Sequence, residues 1–304
     1  MSEPLLVIAN AEAGTSDEER LETALGVLRQ HASVEVAATS NPGELDGVLH
    51  RAGSRRVVVA GGDGSLHAVL SALHKRHDLA STTIGLLPVG TGNDFARSNG
   101  LPLDLEDAAA VLLDGTPRPM DLIVDDRGTI VVNSVHIGAG AAASRRSVRW
   151  KHRLGRVGYK KANLGKLGYP IGALITAWNP PVIRLRVEVD GRLVHDFDRP
   201  LLMVAVGNGR SVGGGTELTP GADASDGLMD VMVSRAAGPL ARLGYAARLG
   251  FGDHEQRDDV DTCRASTVSV AGEEFWVSAD GEIDGPERAR SWRLEPAAYQ
   301  MVLP

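Results

Sequence analysis

The stretch VVVAGGDGSLHAVLSAL, Val57–Leu73, has the pattern of a buried strand, a glycine turn and an amphipathic helix. Such a turn usually binds phosphate, because backbone N–H groups and a helix N-terminus favour an anion. Asp63 nevertheless stands among the glycines. It could cap a helix, or it could hold a cation that accompanies the phosphates of a nucleotide. Ser65 is expected to cap the helix that follows.

A second glycine-rich turn lies in LLPVGTGNDFAR, Leu86–Arg97, again after an apolar strand. Thr91 and the nearby backbone can donate to phosphate oxygens, and Asn93 can bond a sugar or the backbone. The alternative is an ordinary loop with Asn93 or Asp94 as a helix cap. Carboxyl ends of parallel strands meet at one edge, where open α/β sheets bind ligands. The sequence therefore predicts two adjacent turns that form a nucleotide site.

The order of the expected strands and helices along the chain predicts an α/β domain followed by a mainly β domain. Strands and helices alternate at first, which favours a doubly wound parallel sheet covered on both faces. After about Pro119 short strands dominate, with a hairpin turn at Asp190-Gly191 and helical patches at 155–178 and 239–250. We predict an α/β nucleotide domain over residues 1–121, a β-sandwich over 122–287, and a strand over 288–304 that returns to the first domain.

Composition limits the classes of protein that remain. Of 304 residues, 43% are hydrophobic, which excludes global disorder. The single cysteine, Cys263, excludes an internal disulfide framework and favours a reducing compartment. The N-terminus lacks a basic region, and no apolar run approaches the ~18 residues that a membrane span needs. We expect a cytoplasmic protein without a signal peptide.

The charge is unevenly distributed along the chain. The net charge is −7, yet Arg127–Val187 contains twelve Lys and Arg and no Asp or Glu, so 20 basic and 39 acidic residues remain elsewhere. We call Arg127–Val187 the basic segment. It favours an anionic partner, although a solvated basic loop is an equal alternative at this point.

The two glycine turns together resemble the diacylglycerol kinase catalytic family, which includes bacterial lipid kinases and sphingosine kinases. The resemblance extends over nearly the whole chain. It includes IANAEAG near the N-terminus, VVNSVHIGAGA, the run GNGRSVGGGTELTPGADASDGLMDV, and VSADGE. The family fold is an α/β nucleotide domain followed by a β-sandwich, which agrees with the pattern of elements.

The resemblance also implies roles for individual residues. Contacts to ATP fall on Asn10, Thr39, Gly61, Gly62, Asp63, Gly64, Ser65, His67, Gly90, Thr91, Gly92 and Asn93. The catalytic residues are Asp280, Glu282 and Asp63, and one of the first two takes the proton of the substrate hydroxyl. Asp223, Asp226 and the Leu228 carbonyl occupy the place of a structural Mg²⁺ site. His67 replaces an asparagine that is common in the family.

The pair Asp280 and Glu282 is spaced i, i+2, so both side chains would face one side of a regular strand. The alternative is a hairpin turn with solvated carboxylates, which the resemblance to the family disfavours. Asp284 is expected in a loop. We expect Asp63 and this pair to converge at a cleft between the domains.

These inferences predict an ATP- and Mg²⁺-dependent lipid kinase that phosphorylates a hydroxyl of diacylglycerol or a related lipid. Its basic segment, with Trp150, Tyr159 and Tyr169, would contact an anionic membrane peripherally. No nucleic-acid partner is expected, and a homodimer is left open. The alternatives are a kinase of a soluble acceptor such as NAD, and a catalytically weak regulator that binds nucleotide or lipid.

Overall fold

The computed structural model describes residues 4–10, 15–145 and 182–304, and only the backbone of residues 15–17. Contacts divide the chain into two units. The first unit contains the chain up to Leu122 together with Ala224–Asp226 and Glu295–Pro304. The second contains Ile123–Asp223 and Gly227–Leu294.

In the first unit, strands and helices alternate along the chain. The elements are β1 (Leu5–Asn10), α1 (Thr15–His31), β2 (Val34–Thr39), α2 (Pro42–His50), β3 (Arg56–Gly61), α3 (Asp63–Lys75), a 3-10 helix (Leu79–Ser81), β4 (Thr83–Pro88), α4 (Asp94–Ser98) and α5 (Leu105–Asp114). The sheet order is β4-β3-β1-β2, and all of these pairs are parallel. The predicted parallel sheet is confirmed.

Burial explains why these segments form strands and helices. The central strands β1, β3 and β4 are almost continuously buried, as expected of strands covered on both faces. Asn41 caps α2, and Asp104 caps α5 by accepting from the N–H groups of Glu106 and Asp107. A core cluster joins the sheet to α1 and α5.

The predicted cap of α3 is wrong. Helix α3 begins at Asp63, and Gly62 is its N-cap without a side-chain hydrogen bond. Ser65 lies inside the first turn, where its backbone N–H donates to the Gly62 carbonyl at 3.0 Å. The glycine turn leads directly into the helix, so the helix starts before Ser65 is reached.

The second unit is built mainly from strands. They are β5 (Thr116–Asp125), β6 (Ile130–Val131), β7 (Ser134–Gly138), β8 (Leu185–Val189), β9 (Arg192–His195), β10 (Met203–Gly207), β11 (Ser211–Val212), β12 (Thr216–Glu217), β13 (Met229–Ser234), β14 (Val260–Ala265), β15 (Thr267–Ala279) and β16 (Glu282–Leu303). Helix α6 (Pro239–Phe251) and a 3-10 helix (His254–Gln256) lie between β13 and β14. The unit boundaries at Leu122 and Leu294 fall within β5 and β16.

The antiparallel sheet of this unit has the order β14-β13-β10-β7-β15. The first half of β15 pairs with β8, and its last residues pair with β7. Between these halves the register against β16 shifts twice, between Ala271 and Phe275 and between Phe275 and Val277. Such irregularities bend a strand, which lets β15 contribute to two layers around one apolar core. The predicted β-sandwich is confirmed.

Several local predictions are confirmed as well. Asp190 and Gly191, with φ of 48° and 74°, form the turn between β8 and β9. Helix α6 covers the predicted patch at 239–250, whereas the predicted patch at 155–178 lies outside the described residues. Asp284 lies in β16 rather than in a loop, and its carboxylate binds Arg127 and Arg290.

The end of β16 belongs to the first unit. Gln300 and Met301 pair in parallel with Thr83 and Ile84 of β4. In the part of the chain that the structure describes, no helix is long and apolar enough to cross a membrane.

Candidate functional site

The carboxyl ends of the parallel strands place predicted ATP contacts in one row of the first unit. Asn10 pairs with Thr39 at the ends of β1 and β2. Ala9 pairs with Ala60, so the end of β3 lies beside the end of β1. The next residue, Gly61, lies opposite Pro88 at the ends of β3 and β4. This row follows from parallel register alone, and it is the edge where open α/β sheets bind ligands.

The two glycine turns that follow β3 and β4 pack directly against each other. A Cβ added to Gly90 would lie 2.4 Å from the Cα of Gly62. Glycine is required there because any side chain would push the two backbones apart. Gly64 is different, because a Cβ at this position would meet nothing within 4 Å. The backbone of Gly64 is thus open to an approaching ligand.

Asp63 joins the two turns. The N–H groups of Asp94 and Phe95 donate to its Oδ2 and Oδ1 at 3.0 and 2.9 Å. These N–H groups belong to the first turn of α4, so Asp63 caps a helix that begins 31 residues later. Capping was one of the two roles open to Asp63, but the helix that it caps is α4 rather than α3.

Asn93 shapes the second turn from within. It has a left-handed backbone (φ 52°), and its side-chain amide donates to the carbonyls of Pro88 and Gly90 at 3.1 and 2.7 Å. Asn93 is the N-cap residue of α4, as one predicted alternative had it, but its side chain makes no cap hydrogen bond. Thr91 is exposed at the tip, and His67 is half-buried on α3.

In the second unit, Asp280 lies in a turn, not on a strand. Asp280 and Gly281 are the two turn residues between Ala279 of β15 and Glu282 of β16, with φ of 47° and 87°. Positive φ at both positions is typical of a tight hairpin turn that matches strand twist. The expectation that Asp280 and Glu282 share one face of a regular strand is therefore wrong, and the alternative of a hairpin turn is confirmed.

The Asp280 carboxylate holds the segment that leads into β7. Its Oδ1 accepts from the N–H groups of Asn133 and Ser134 at 2.8 and 3.1 Å, and its Oδ2 accepts from Val132 at 2.7 Å. Glu282 is exposed. The two carboxylates thus have different environments, one fixed by backbone donors and the other facing solvent.

Sequence reasoning missed the residues that support this turn. Asn208 is fully buried, and its amide donates to the Val132 carbonyl at 2.9 Å. The N–H groups of Asn208 and Gly209 both donate to the Asn133 carbonyl at 2.8 Å. The motif GNGRSVGGG contained Asn208, but a buried asparagine has no periodic signal that distinguishes it from a loop residue.

His136 was also missed as part of this region. It lies on β7 beside Ser278 of β15, and its Nε2 is 3.1 Å from the Ser134 hydroxyl. Burial lowers its pKa to about 4, although the negative charge of Asp280 acts in the opposite direction. His136 is therefore neutral at physiological pH in the protein without a bound ligand.

The predicted Mg²⁺ ligands are all oxygen donors. Asp223, Asp226 and the Leu228 carbonyl are the ligand types that a hard cation prefers. In the described ranges, no group of three or more His, Cys, Asp or Glu side chains is arranged to hold a metal ion. Asp223 and Leu228 belong to the second unit and Asp226 to the first. The donor chemistry fits Mg²⁺, and the site stays a prediction.

Most of the basic segment, with Trp150, Tyr159 and Tyr169, lies outside the described residues. Its described arginines contact other groups of the protein. Arg127 binds Asp284 at 3.2 Å, Arg145 lies 3.8 Å from the Trp276 ring centre, and Arg186 binds Glu188. Arg184 donates to two backbone carbonyls. Membrane contact by the basic segment stays a prediction.

Comparisons with known proteins agree with this architecture. Residues 4–124 match the diacylglycerol kinase catalytic domain, and residues 133–303 match the YegS C-terminal NAD kinase beta sandwich-like domain. A diacylglycerol kinase of Mycobacterium tuberculosis is 34% identical over 83% of this chain and 78% of its own length. A relative in Stenotrophomonas maltophilia named probable lipid kinase YegS-like is 30% identical, over 98% of this chain and 95% of its own.

The fold is also similar to that of a solved diacylglycerol kinase from Bacillus anthracis, with a TM-score of 0.74 and 22% identity over 99% of this chain and 97% of the other. The glycine turns at the edge of a parallel sheet, followed by a β-sandwich, define a two-domain kinase class. Within that class, the chain belongs to the diacylglycerol kinase and YegS-like lipid kinase family.

Proposed function

We propose that this protein is an ATP- and Mg²⁺-dependent kinase that transfers the γ-phosphoryl group to a hydroxyl of diacylglycerol or a related lipid. The main support is the link that Asp63 makes between two glycine turns at the carboxyl edge of a parallel sheet. A relative named diacylglycerol kinase points to the acceptor. The substrate is presented at an anionic membrane surface.

Phosphoryl transfer depends chiefly on positioning and charge stabilisation. The backbones of Gly61–Gly64 and Gly90–Gly92 approach the phosphates of ATP, and Asp63 is a positioning residue because it fixes one turn relative to the other. Asn10, Thr39, Ser65, His67 and Asn93 complete the nucleotide site. When bound, Mg²⁺ would neutralise phosphate charge, and Asp223, Asp226 and the Leu228 carbonyl would hold a structural ion.

A carboxylate takes the proton of the attacking hydroxyl. Such a group contributes about 10²–10⁴-fold in rate. The geometry favours Glu282 over Asp280 for this role, because both oxygens of Asp280 already accept backbone hydrogen bonds. Asp280 then positions the turn that presents Glu282.

The test is a labelled-ATP assay of the purified full chain against a total lipid extract, diacylglycerol, sphingoid bases and NAD. We expect label in diacylglycerol or a related lipid, and no transfer when Mg²⁺ is chelated. NAD is included because the second domain is described as NAD kinase beta sandwich-like. Transfer to NAD alone, or to no acceptor, would contradict the proposal.

A further inference from the structure

Helix α6 carries apolar side chains on two opposite faces. On one face, Tyr245 is buried and packs with Ala241 and Leu249 on the inner core, where its hydroxyl is within 3.4 Å of the Met203 sulfur. This face explains how the helix is held on β10 and β13. The second face is not needed for that packing.

The second face is an apolar stripe that points to solvent. Leu240, Leu243 and Phe251 have exposed fractions of 84%, 51% and 86%, and Ala247 is exposed between them. Positions 240, 243, 247 and 251 follow one side of a helix. Leu240 and Phe251 are the two most exposed large apolar side chains of the described chain. Soluble domains rarely present such a patch without a partner.

The helix that carries the stripe has no acidic residue of its own, so α6 can approach an anionic lipid surface without repulsion. Residues 235–252 contain no Asp or Glu, and α6 carries Arg242 and Arg248. Beside Arg248 lies an open polar cavity of about 350 Å³ lined by Arg248, Gln256, Arg257, Asp258 and Asp259. Asp259 binds Arg257, and Asp253 lies 3.8 Å from Arg248. Because these carboxylates offset the arginines, apolar contact dominates and anionic lipid adds a smaller attraction.

We propose that α6 lies in the plane of a lipid bilayer, with Leu240, Leu243, Ala247 and Phe251 inserted among the acyl chains. The stripe spans eleven helical steps, about 16 Å at 1.5 Å per residue. Interfacial amphipathic helices lie in the plane of the membrane with one apolar face among the acyl chains, and a helix face of this length can do the same. The inference rests on the proposed function, because a lipid acceptor resides in the membrane that α6 would contact.

The test is sedimentation of the full chain with phosphatidylcholine vesicles, with and without phosphatidylglycerol. The double variant Leu240→Ser/Phe251→Ser should lower the partition coefficient by about tenfold or more, because two large apolar side chains no longer insert. The control is Val36→Ser/Leu193→Ser, which alters two exposed apolar residues outside α6. This control should bind as the unaltered protein does. The addition of phosphatidylglycerol should change the partition coefficient by less than the Leu240→Ser/Phe251→Ser substitution does.

Two results would overturn the inference. One is unchanged vesicle binding by the folded double variant, with its thermal midpoint retained. The other is a dimer in sedimentation velocity that the double variant converts to monomers, because a second copy of the chain would then cover the stripe. Turnover of dispersed short-chain diacylglycerol, which needs no vesicle, separates this inference from the proposed function. The double variant should keep this turnover. If the unaltered protein also fails to phosphorylate the dispersed lipid, the lipid kinase proposal itself is contradicted.

Discussion

Asp63 and Asp280 have the same physical role in different units of the protein. Each carboxylate accepts hydrogen bonds from consecutive backbone N–H groups of another segment: Asp63 from α4, and Asp280 from residues 132–134. A hydrogen bond to a charged group contributes about 1.5–3 kcal/mol. A single acidic residue thus fixes a loop whose partner is distant in sequence.

Replacement of Asp63 by asparagine should separate the two glycine turns. An amide has one acceptor oxygen, so its NH₂ group would face an N–H of Asp94 or Phe95. We expect kcat/KM for ATP to fall by about 10²-fold, as for a misplacement of about 1 Å. Asp104→Asn is the matched control, because asparagine is an equally good helix cap. Near-normal kcat/KM in a folded Asp63→Asn variant would contradict the positioning role.

Asp280→Asn and Glu282→Gln should have different effects. Asp280→Asn loses backbone hydrogen bonds, so we expect the free energy of unfolding of the second unit to fall by about 2 kcal/mol together with activity. Glu282→Gln changes an exposed side chain, so the thermal midpoint should be unchanged while kcat falls by about 10²-fold or more. Denaturant titration measures the stability of the two variants, and steady-state kinetics measures their kcat. Full turnover by Glu282→Gln would show that a group other than Glu282 accepts the proton.

At the scale of elements, the site depends on a turn–turn contact that only glycine permits. Strands β3 and β4 are adjacent and parallel, so their following turns begin at the same edge. Gly62 and Gly90 then let the turns touch, and Asp63 links them. A helix such as α4, with five residues, is too short to be stable alone and depends on this link.

Gly90→Ala and Gly64→Ala test this contact. The methyl group that Gly90→Ala introduces would overlap the Gly62 backbone, so this variant should lose about 1–3 kcal/mol of stability. Gly64 is in α3 with open space around it, so Gly64→Ala should stabilise the helix by up to about 1 kcal/mol. If ATP approaches the backbone of Gly64, the added methyl group of Gly64→Ala also obstructs ATP. Activity should then fall in both variants, although the free energy of unfolding falls in Gly90→Ala and rises in Gly64→Ala. Equal stability of the two variants by denaturant titration would disprove the turn–turn contact.

At the scale of the whole molecule, buried titratable groups connect stability to pH. Burial lowers the pKa of His136 to about 4 from 6.5. The unfolded chain therefore binds a proton between pH 6.5 and 4 that the folded chain does not bind. The contribution of His136 is fully present above pH 6.5 and is lost as the pH falls toward 4.

Denaturant unfolding between pH 7 and pH 4 should show this loss. We expect His136 to account for about 2–3 kcal/mol of the decrease. His136→Gln should reduce the slope of stability against pH in this window, even if its stability at pH 7 is lower. His31→Gln, which alters a residue exposed at the end of α1, is the control and should keep the slope. An unchanged slope in His136→Gln would mean that His136 is protonated while folded.

The sequence by itself determined the alternation of β1 to α5, the Asp190-Gly191 hairpin and the position of both glycine turns. These features are local, because period, glycine and turn residues carry them. Parallel strands then place Gly61 and Gly90 at one edge by topology. The family motifs named the candidate residues in advance, including Asp63 and Asp280.

Only the tertiary structure decided what these residues touch. Asp63 caps α4 instead of α3, Asp280 sits in a tight turn and holds residues 132–134, and Asn208 supports the same segment. Hydrogen bonds between residues up to 148 positions apart leave no local pattern. The same reason applies to the stripe on α6: its sequence is apolar on two faces, and only packing shows which face the core buries and which one is left for a partner.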